Sequence, residues 1–225
     1  MVVAALVSAA VSATTVYEAA RFDGLSGKRN FDVKVVVGQQ GARVEVSAGG
    51  QARVSMIETD NKLILISHAA ALYVEFDGAH DGAAAPNAIT WHATHRRQLA
   101  LGGYCRIFES RRSDSVYREQ CSVAFEQAGK TKTQIHGTRV GEFLSLVAAT
   151  NDSQVLFDMA VRTLAKADLL PNFPFVVHHF EQGKMVGELR VLTVVNDAPL
   201  NKILEMPKGL RRVPADAVVA SRAEP

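Results

Sequence analysis

The chain has 225 residues, 48% of them hydrophobic and 21% charged, a composition typical of globular proteins and outside the range of disordered chains. Its 25 basic and 23 acidic residues give a net charge of +2. Nucleic-acid-binding domains usually carry a strong basic excess on one face. Because the sequence contains no long basic run, we expect no nucleic-acid partner.

The N-terminal residues 1–13 are small and apolar and carry no charged side chain. They are too few to cross a bilayer as a helix, which needs about 20 residues, but they match the apolar core of a secretory signal. Val11-Ser12-Ala13 and Ser8-Ala9-Ala10 both have the small side chains of a cleavage site. No basic residue precedes the apolar run, unlike most signals. We predict a signal-peptide-like leader, with an N-terminal strand or buried helix as the alternative.

Between residues 31 and 76 the sequence breaks into short segments in which apolar and polar residues alternate or β-branched residues predominate, as in β-strands. Turn-forming residues such as Gly38-Gln39-Gln40-Gly41 and Thr59-Asp60-Asn61 separate these segments. The regular spacing predicts a meandering antiparallel sheet. The predicted strands are 31–37, 42–47, 51–58, 62–67 and 72–76.

A Gly/Ala/Pro-rich loop at 77–88 precedes a predicted strand at 89–101 and a hairpin that contains both cysteines, Cys105 and Cys121. If the turn is centred on Ser113, the two cysteines face each other across the strands. Opposed residues are about 4.5–5.5 Å apart at Cα, within the range of about 4.4–6.8 Å that a disulfide requires. The same register pairs Ile107 with Glu119 and Glu109 with Tyr117.

A cross-strand disulfide between Cys105 and Cys121 is therefore the favoured prediction. Export to an oxidising compartment would allow it to persist, and closing a loop of this size contributes about 3 kcal/mol to stability. The alternative is a pair of buried free thiols. A redox-active pair is disfavoured because the sequence has no C-x-x-C motif.

Residues 138–170 interrupt the strand pattern and predict a helical insert. Val140, Phe143, Leu144 and Val147 recur at helical spacing. Asn151-Asp152 then forms an N-cap for a second helix, whose apolar face includes Leu156 and Met159 and which ends before Pro171 and Pro174.

A final hairpin is predicted across Gly183, with strands at 173–182 and 184–195. We see no compositional boundary and no internal repeat. The sequence therefore predicts one mainly β domain of the α+β type over 14–213, a curved antiparallel sheet with a helical insert, followed by a flexible tail at 214–225.

Five segments stand out in order along the chain: Gly103-Tyr104-Cys105, Glu119-Gln120-Cys121, residues 170–177, residues 187–195 and Met206-Pro207-Lys208-Gly209-Leu210. With these segments, the order of elements from 14 to 213 resembles that of bacterial periplasmic proteins of unknown function related in fold to the outer-membrane lipoprotein carriers. Those proteins often carry an aromatic residue where Leu210 stands. The resemblance implies an incomplete antiparallel barrel with helices on its concave face, which in the carriers holds acyl chains.

The apolar helix positions are the candidate ligand-lining residues. By the resemblance they would cover the inner face of the sheet and line a cavity for an apolar ligand. The alternative is a filled core, since apolar helical stripes usually pack in one. The residues are Phe143, Leu144, Val147, Leu156 and Met159.

Motifs for other chemistry are weak. Gly129-Lys130-Thr131 fits a loose phosphate-loop pattern but lacks the strand-to-helix context. His92 and His95, like the adjacent His178 and His179, would point to opposite faces of a strand, so neither pair predicts a metal site. No residue pattern predicts a catalytic group or a cofactor.

The sequence therefore predicts an exported, periplasmic or secreted, non-catalytic protein. The leading hypothesis is a carrier or binder of an apolar ligand, either a lipid or a lipidated protein. The second is an envelope interaction module with a filled core, and the third, more remote, is a hydrolase or nucleotide-binding enzyme. The oligomeric state is open, and no stretch beyond the leader is apolar and long enough to predict a transmembrane span.

Overall fold

The computed structural model describes residues 14–38, 40–59, 62–77, 91–101, 103–112, 115–124, 137–164, 172–196 and 204–220. The predicted leader at 1–13, most of the predicted loop at 77–88 and the segment Gly129-Lys130-Thr131 lie outside these residues.

Twelve strands within the described residues form one open sheet. Its order is β12-β6-β5-β4-β3-β2-β1-β11-β10-β9-β8-β7, and all pairs are antiparallel except β12 with β6. The strands are β1 (Thr15–Asp23), β2 (Arg29–Gly38), β3 (Gly41–Ala48), β4 (Gln51–Glu58), β5 (Lys62–Ser67), β6 (Leu72–Asp77), β7 (Trp91–Ala100), β8 (Gly103–Arg112), β9 (Ser115–Ala124), β10 (Asn172–Glu181), β11 (Lys184–Val195) and β12 (Arg211–Arg212).

The antiparallel meander predicted from the alternation is confirmed, and β2 to β6 match the predicted strands to within about two residues at each end. Strand β1 was not predicted. It lies in the middle of the sheet, between β2 and β11. Both faces of β1 are covered, as the buried neighbours Val16 and Tyr17 and the buried pair Ala19 and Ala20 show, so the sequence lacks a period-two pattern there.

Two helices occupy the predicted insert, α1 (Gly137–Ala149) and α2 (Ser153–Thr163). The predicted N-cap is confirmed, because Asp152 Oδ1 accepts hydrogen bonds from the backbone N–H groups of Gln154 at 2.7 Å and Val155 at 3.2 Å. Helix α1 contacts β10, β11, β1 and β3, whereas α2 contacts β4 and β5.

The segment predicted as a flexible tail contains a short helix, α3 (Ala215–Ala220). Ala215 and Val218 on this helix pack against the main apolar cluster. No described helix combines the length and the hydropathy that a transmembrane helix requires.

One apolar cluster joins the helices to most of the sheet. It includes buried side chains from β1 to β6, β10 and β11, but none from β7, β8 or β9. Gly187 on β11 allows α1 to lie close to the sheet, because a Cβ atom there would be 2.1 Å from the carbonyl oxygen of Ala148. The helices are therefore positioned over the central strands.

A smaller apolar cluster lies at the β8–β9 hairpin and contains the disulfide. Cys105 and Cys121 are bonded, with their Cα atoms 5.3 Å apart, as predicted. Ile107 and Val176 complete the buried part of this cluster.

The predicted register of this hairpin is wrong, although the bond is right. Cys121 faces Ile107 rather than Cys105, and Glu119 faces Glu109 rather than Ile107. Arg112 faces Ser115, one residue beyond the predicted partner, and a β-bulge between Ser110 and Arg111 adds a second shift. Because two shifts restore the side-chain face, the cysteines still meet, but diagonally.

Candidate functional site

The predicted ligand-lining residues lie together in the main apolar cluster. Phe143, Leu144, Val147 and Leu156 are 0% exposed, whereas Met159 is partly buried at the edge of the cluster. The described residues that line two surface pockets include none of these five. The five side chains predicted from the helical spacing therefore lie together in the structure. That they line a ligand site stays a prediction.

Another side of α1 is polar and is also buried. Glu142 accepts a hydrogen bond from the guanidinium of Arg118 on β9 at 3.2 Å, and Trp91 on β7 donates a second. Both charged side chains are less than a tenth exposed. Burial raises the pKa of the Glu142 carboxyl, and Arg118 opposes this shift.

Polar contacts continue along the same side of the helix. The Ser145 hydroxyl donates to the backbone oxygen of Gly141 at 3.1 Å and also lies 3.5 Å from Oε1 of Gln120 on β9. Both side chains are buried. The helix-facing side of β9 is therefore polar, in contrast to the apolar inner sides of the central strands.

A second buried ion pair lies at the start of α1. Arg139 Nε is 3.4 Å from Oε1 of Glu58, at the end of β4. Burial raises the pKa of Glu58 to about 8, while Arg139 acts in the opposite direction. Burial also lowers the pKa of Arg139, so desolvation dominates for both partners.

The face of strands β7 to β10 that points away from α1 carries a network of charged side chains. Arg96 binds both Glu109 and Glu119, which face each other on β8 and β9. Arg111 binds Glu109 at 2.9 Å, and His178 Nδ1 lies 3.4 Å from Glu119. Hydrogen bonds from Arg111 and Arg96 lower the pKa of Glu109. Neither this network nor any other part of the described residues contains a group of three His, Cys, Asp or Glu side chains that could hold a metal ion.

An open pocket of about 670 Å³ lies at the β7 edge of the sheet. Arg97, Arg106 and Tyr104 line it, together with Phe108 and Ser122, and none of the described residues that line it is a carboxylate. Arg97 and Arg106 face each other across β7 and β8. No local sequence pattern predicts this basic pocket, because its residues lie on three strands and only the register brings them together.

No protein-family model matches the sequence, and no curated protein matches it. The fold is similar to solved structures. PNGF-II in a C2 crystal form aligns with a TM-score of 0.52 at 8% identity, over 94% of this chain and 33% of that chain, so this chain spans about a third of PNGF-II. An uncharacterized conserved protein from Thermus thermophilus aligns with a TM-score of 0.48 at 11% identity, over 89% of this chain and 90% of that chain. At 8% identity the likeness to PNGF-II concerns the fold alone.

Proposed function

We propose that this protein is an exported, non-catalytic binding protein of the bacterial envelope that holds an apolar ligand between its helices and its sheet. The ligand class is a lipid or the acyl chain of a lipidated protein. The apolar faces of α1 and α2, which converge on one cluster with the central strands, support this proposal. The leader-like sequence at 1–13 and the disulfide support a periplasmic or secreted location.

The proposal requires a sheet that curves around the helices as an incomplete barrel, as in the lipoprotein carriers that the sequence resembles. Within the described residues, β7 and β12 are the two ends of the sheet and do not pair with each other. One cluster nevertheless includes side chains from both β6 and β10, which are separated by six other strands. A curved sheet with its concave side towards the helices accounts for this.

The observation that carries the proposal is that α1 contacts the rest of the protein through both apolar side chains and buried ion pairs. Phe143 and Val147 pack in apolar surroundings, but Arg139 and Glu142 are held by buried ion pairs. Burying two charges costs desolvation energy that their attraction largely offsets, so such pairs add little net stability. The ion pairs therefore fix the position of α1, and the apolar side chains of α1 and α2 provide the surface that an apolar ligand would contact.

Native mass spectrometry of the oxidised protein purified from the periplasm tests this function. We expect an additional mass corresponding to a lipid. The variant Val147→Phe fills space beneath α1 and should lower the ligand-bound fraction, whereas Val155→Phe, on the exposed side of α2, should not. Thermal melts of both variants separate loss of binding from loss of folding.

A ligand-free protein that also fails to take up phospholipid or fatty acid when these are supplied would sink the carrier proposal. The envelope interaction module would then be the better function. One feature favours this second candidate: Leu99, Leu101 and Tyr104 are exposed around the β7–β8 turn, on the last strands at one end of the sheet within the described residues. Exposed apolar groups and unpaired strand edges are common in protein interfaces.

Photocrosslinking in cells tests the interaction module directly. A photoreactive side chain at position 101 should give one discrete adduct with an envelope protein. Position 25, where Leu25 is also exposed but lies in the β1–β2 turn, is the matched control and should give none. Equal labelling from both positions would argue against a specific interface at the β7–β8 turn.

A further inference from the structure

A row of three side chains crosses the strands at the β7 edge of the sheet. Arg97 on β7 is directly opposite Arg106 on β8, and Arg106 is directly opposite Ser122 on β9. Opposed residues share one face of a sheet, with Cβ atoms about 4.5–5.5 Å apart. The row lies on the helix-facing side, because Gln120, two residues from Ser122, contacts Ser145 of α1.

The two arginines lack a counter-charge among the described residues. Neither guanidinium has a carboxylate within ion-pair distance there, whereas the neighbouring Arg96 binds both Glu109 and Glu119. Like charges directly opposite each other destabilise a sheet. The pair therefore costs stability in the absence of a bound anion.

Arg106 is also held in a fixed orientation. Its Nε donates a hydrogen bond to the backbone oxygen of Thr94 at 3.2 Å. Its guanidinium carbon lies 5.9 Å from the centroid of the Phe108 ring. These contacts leave the two terminal nitrogens available to donate hydrogen bonds, and a preorganised guanidinium loses less entropy on binding a ligand.

Ser122 supplies an independent indication of a ligand. Ser122 is only 2% exposed, and its Oγ has no hydrogen-bond partner among the described residues. A buried hydroxyl without a partner destabilises the folded state. Ser122 lines the same open pocket of about 670 Å³ as the two arginines, so a ligand in the pocket can satisfy the hydroxyl.

We propose that this pocket binds a phosphate group through the guanidinium groups of Arg97 and Arg106 and the hydroxyl of Ser122. Three donors on adjacent strands suit a tetrahedral oxyanion with several acceptor oxygens, and arginine binds phosphate through paired, charge-assisted hydrogen bonds. Two positive charges without carboxylates match the charge of a phosphate ester. This inference does not depend on the apolar ligand beneath α1, which involves other residues.

The phosphate can belong to a small soluble ester or to a phospholipid headgroup. Isothermal titration of the full-length, oxidised protein with glycerol 3-phosphate tests the first source. Flotation with phosphatidylglycerol vesicles, compared with vesicles of uncharged glycolipid, tests the second. We expect saturable binding in at least one arm, and Arg106→Gln should weaken that binding by about tenfold or more, as loss of a charge-assisted contact does.

Arg162→Gln is the matched control, because Arg162 is an exposed arginine on α2, away from the pocket, and it should bind like the wild type. Ser122→Ala should weaken binding less than Arg106→Gln. Without phosphate, Arg106→Gln should melt at the same or a slightly higher temperature, since the repulsion with Arg97 is removed. Absence of binding in both arms, or binding that Arg106→Gln leaves unchanged, overturns the proposal. Failure of lipid uptake beneath α1 has no bearing on this result.

Discussion

The central strands and the β7–β9 region bury their side chains in different ways. Strands β1 to β6, with β10 and β11, place apolar side chains beneath the helices in one large cluster. The β7–β9 region contributes none of the buried members of that cluster. It relies on a small cluster around the disulfide, on polar contacts with α1 and on the Arg96 network.

This difference indicates a division of roles. An apolar core supplies most folding free energy through burial, so the central strands and helices are expected to form the stable unit. Polar and ionic contacts add less net stability, and the disulfide compensates by restricting the unfolded chain. The edge region can therefore retain charges and an open pocket that a core does not tolerate. Five measurements test this comparison.

The largest effect is expected for Phe143→Ala, in the centre of the main cluster. Removing a fully buried aromatic ring costs about 3–5 kcal/mol of unfolding free energy, because apolar burial is lost and a cavity remains. Urea unfolding measures the change. Val155→Ala, at a partly exposed position on α2, is the control and should lose far less. A small loss for Phe143→Ala would contradict a well-packed core.

Glu142→Ala should cost about 3 kcal/mol, because it leaves the Arg118 guanidinium buried without its partner. The double variant Arg118→Met/Glu142→Met should recover most of this loss, since the buried charge is removed together with its desolvation cost. Denaturant unfolding of the wild type, Arg118→Met, Glu142→Met and the double variant gives the coupling energy. If the double variant is less stable than Glu142→Ala, the ion pair contributes more net stability than we infer.

Replacing both cysteines, Cys105→Ala/Cys121→Ala, should reduce stability by about 3 kcal/mol in the chain-entropy treatment. Hydrogen exchange should show the loss of protection chiefly in β7, β8 and β9, with the central strands less affected. Reduction of the wild type should reproduce the pattern. Equal loss of protection across the whole sheet would contradict the division into two regions.

The dependence of the unfolding free energy on pH should reflect protonation of the buried carboxyl of Glu58. Its pKa is raised by burial to about 8 in the folded protein, so between its ordinary pKa and this value the folded state binds more protons than the unfolded state. The unfolding free energy should therefore fall as pH rises from about 5 to 8. Urea unfolding at several pH values measures the slope.

Glu58→Gln is the informative variant for this pH dependence. It should flatten the slope without abolishing it, because burial also raises the pKa of Glu142. A slope identical to that of the wild type would exclude Glu58 as a contributor. Asp152→Asn is a suitable control, since Asp152 is an exposed cap residue.

The smallest effect is expected for Arg96→Gln. Arg96 is about half exposed, and exposed ion pairs contribute about 0–1 kcal/mol. The loss should shrink further at high salt because the pair with Glu109 is screened. Thermal melts at low and high ionic strength measure both effects. A large loss that persists in salt would make the network a main support of the edge region.

Local sequence patterns determined most of the elements. Alternation located β2 to β6, the 3.6-residue spacing located α1 and the apolar side of α2, and Asp152 marked the start of α2. These predictions succeeded because each depends on residues close in sequence. With only two cysteines in the chain, the disulfide partners were also fixed in advance, although the register that joins them was not.

Only the tertiary structure decided how distant segments pair. It placed β1 between β2 and β11, shifted the cysteine hairpin through a bulge, and buried Glu58 against Arg139. It also aligned Arg97, Arg106 and Ser122. Such contacts depend on the register of strands far apart in the chain, and a shift of one residue reverses the face of every side chain. Local periodicity determines which face a residue can occupy, but the pairing of strands determines its neighbours.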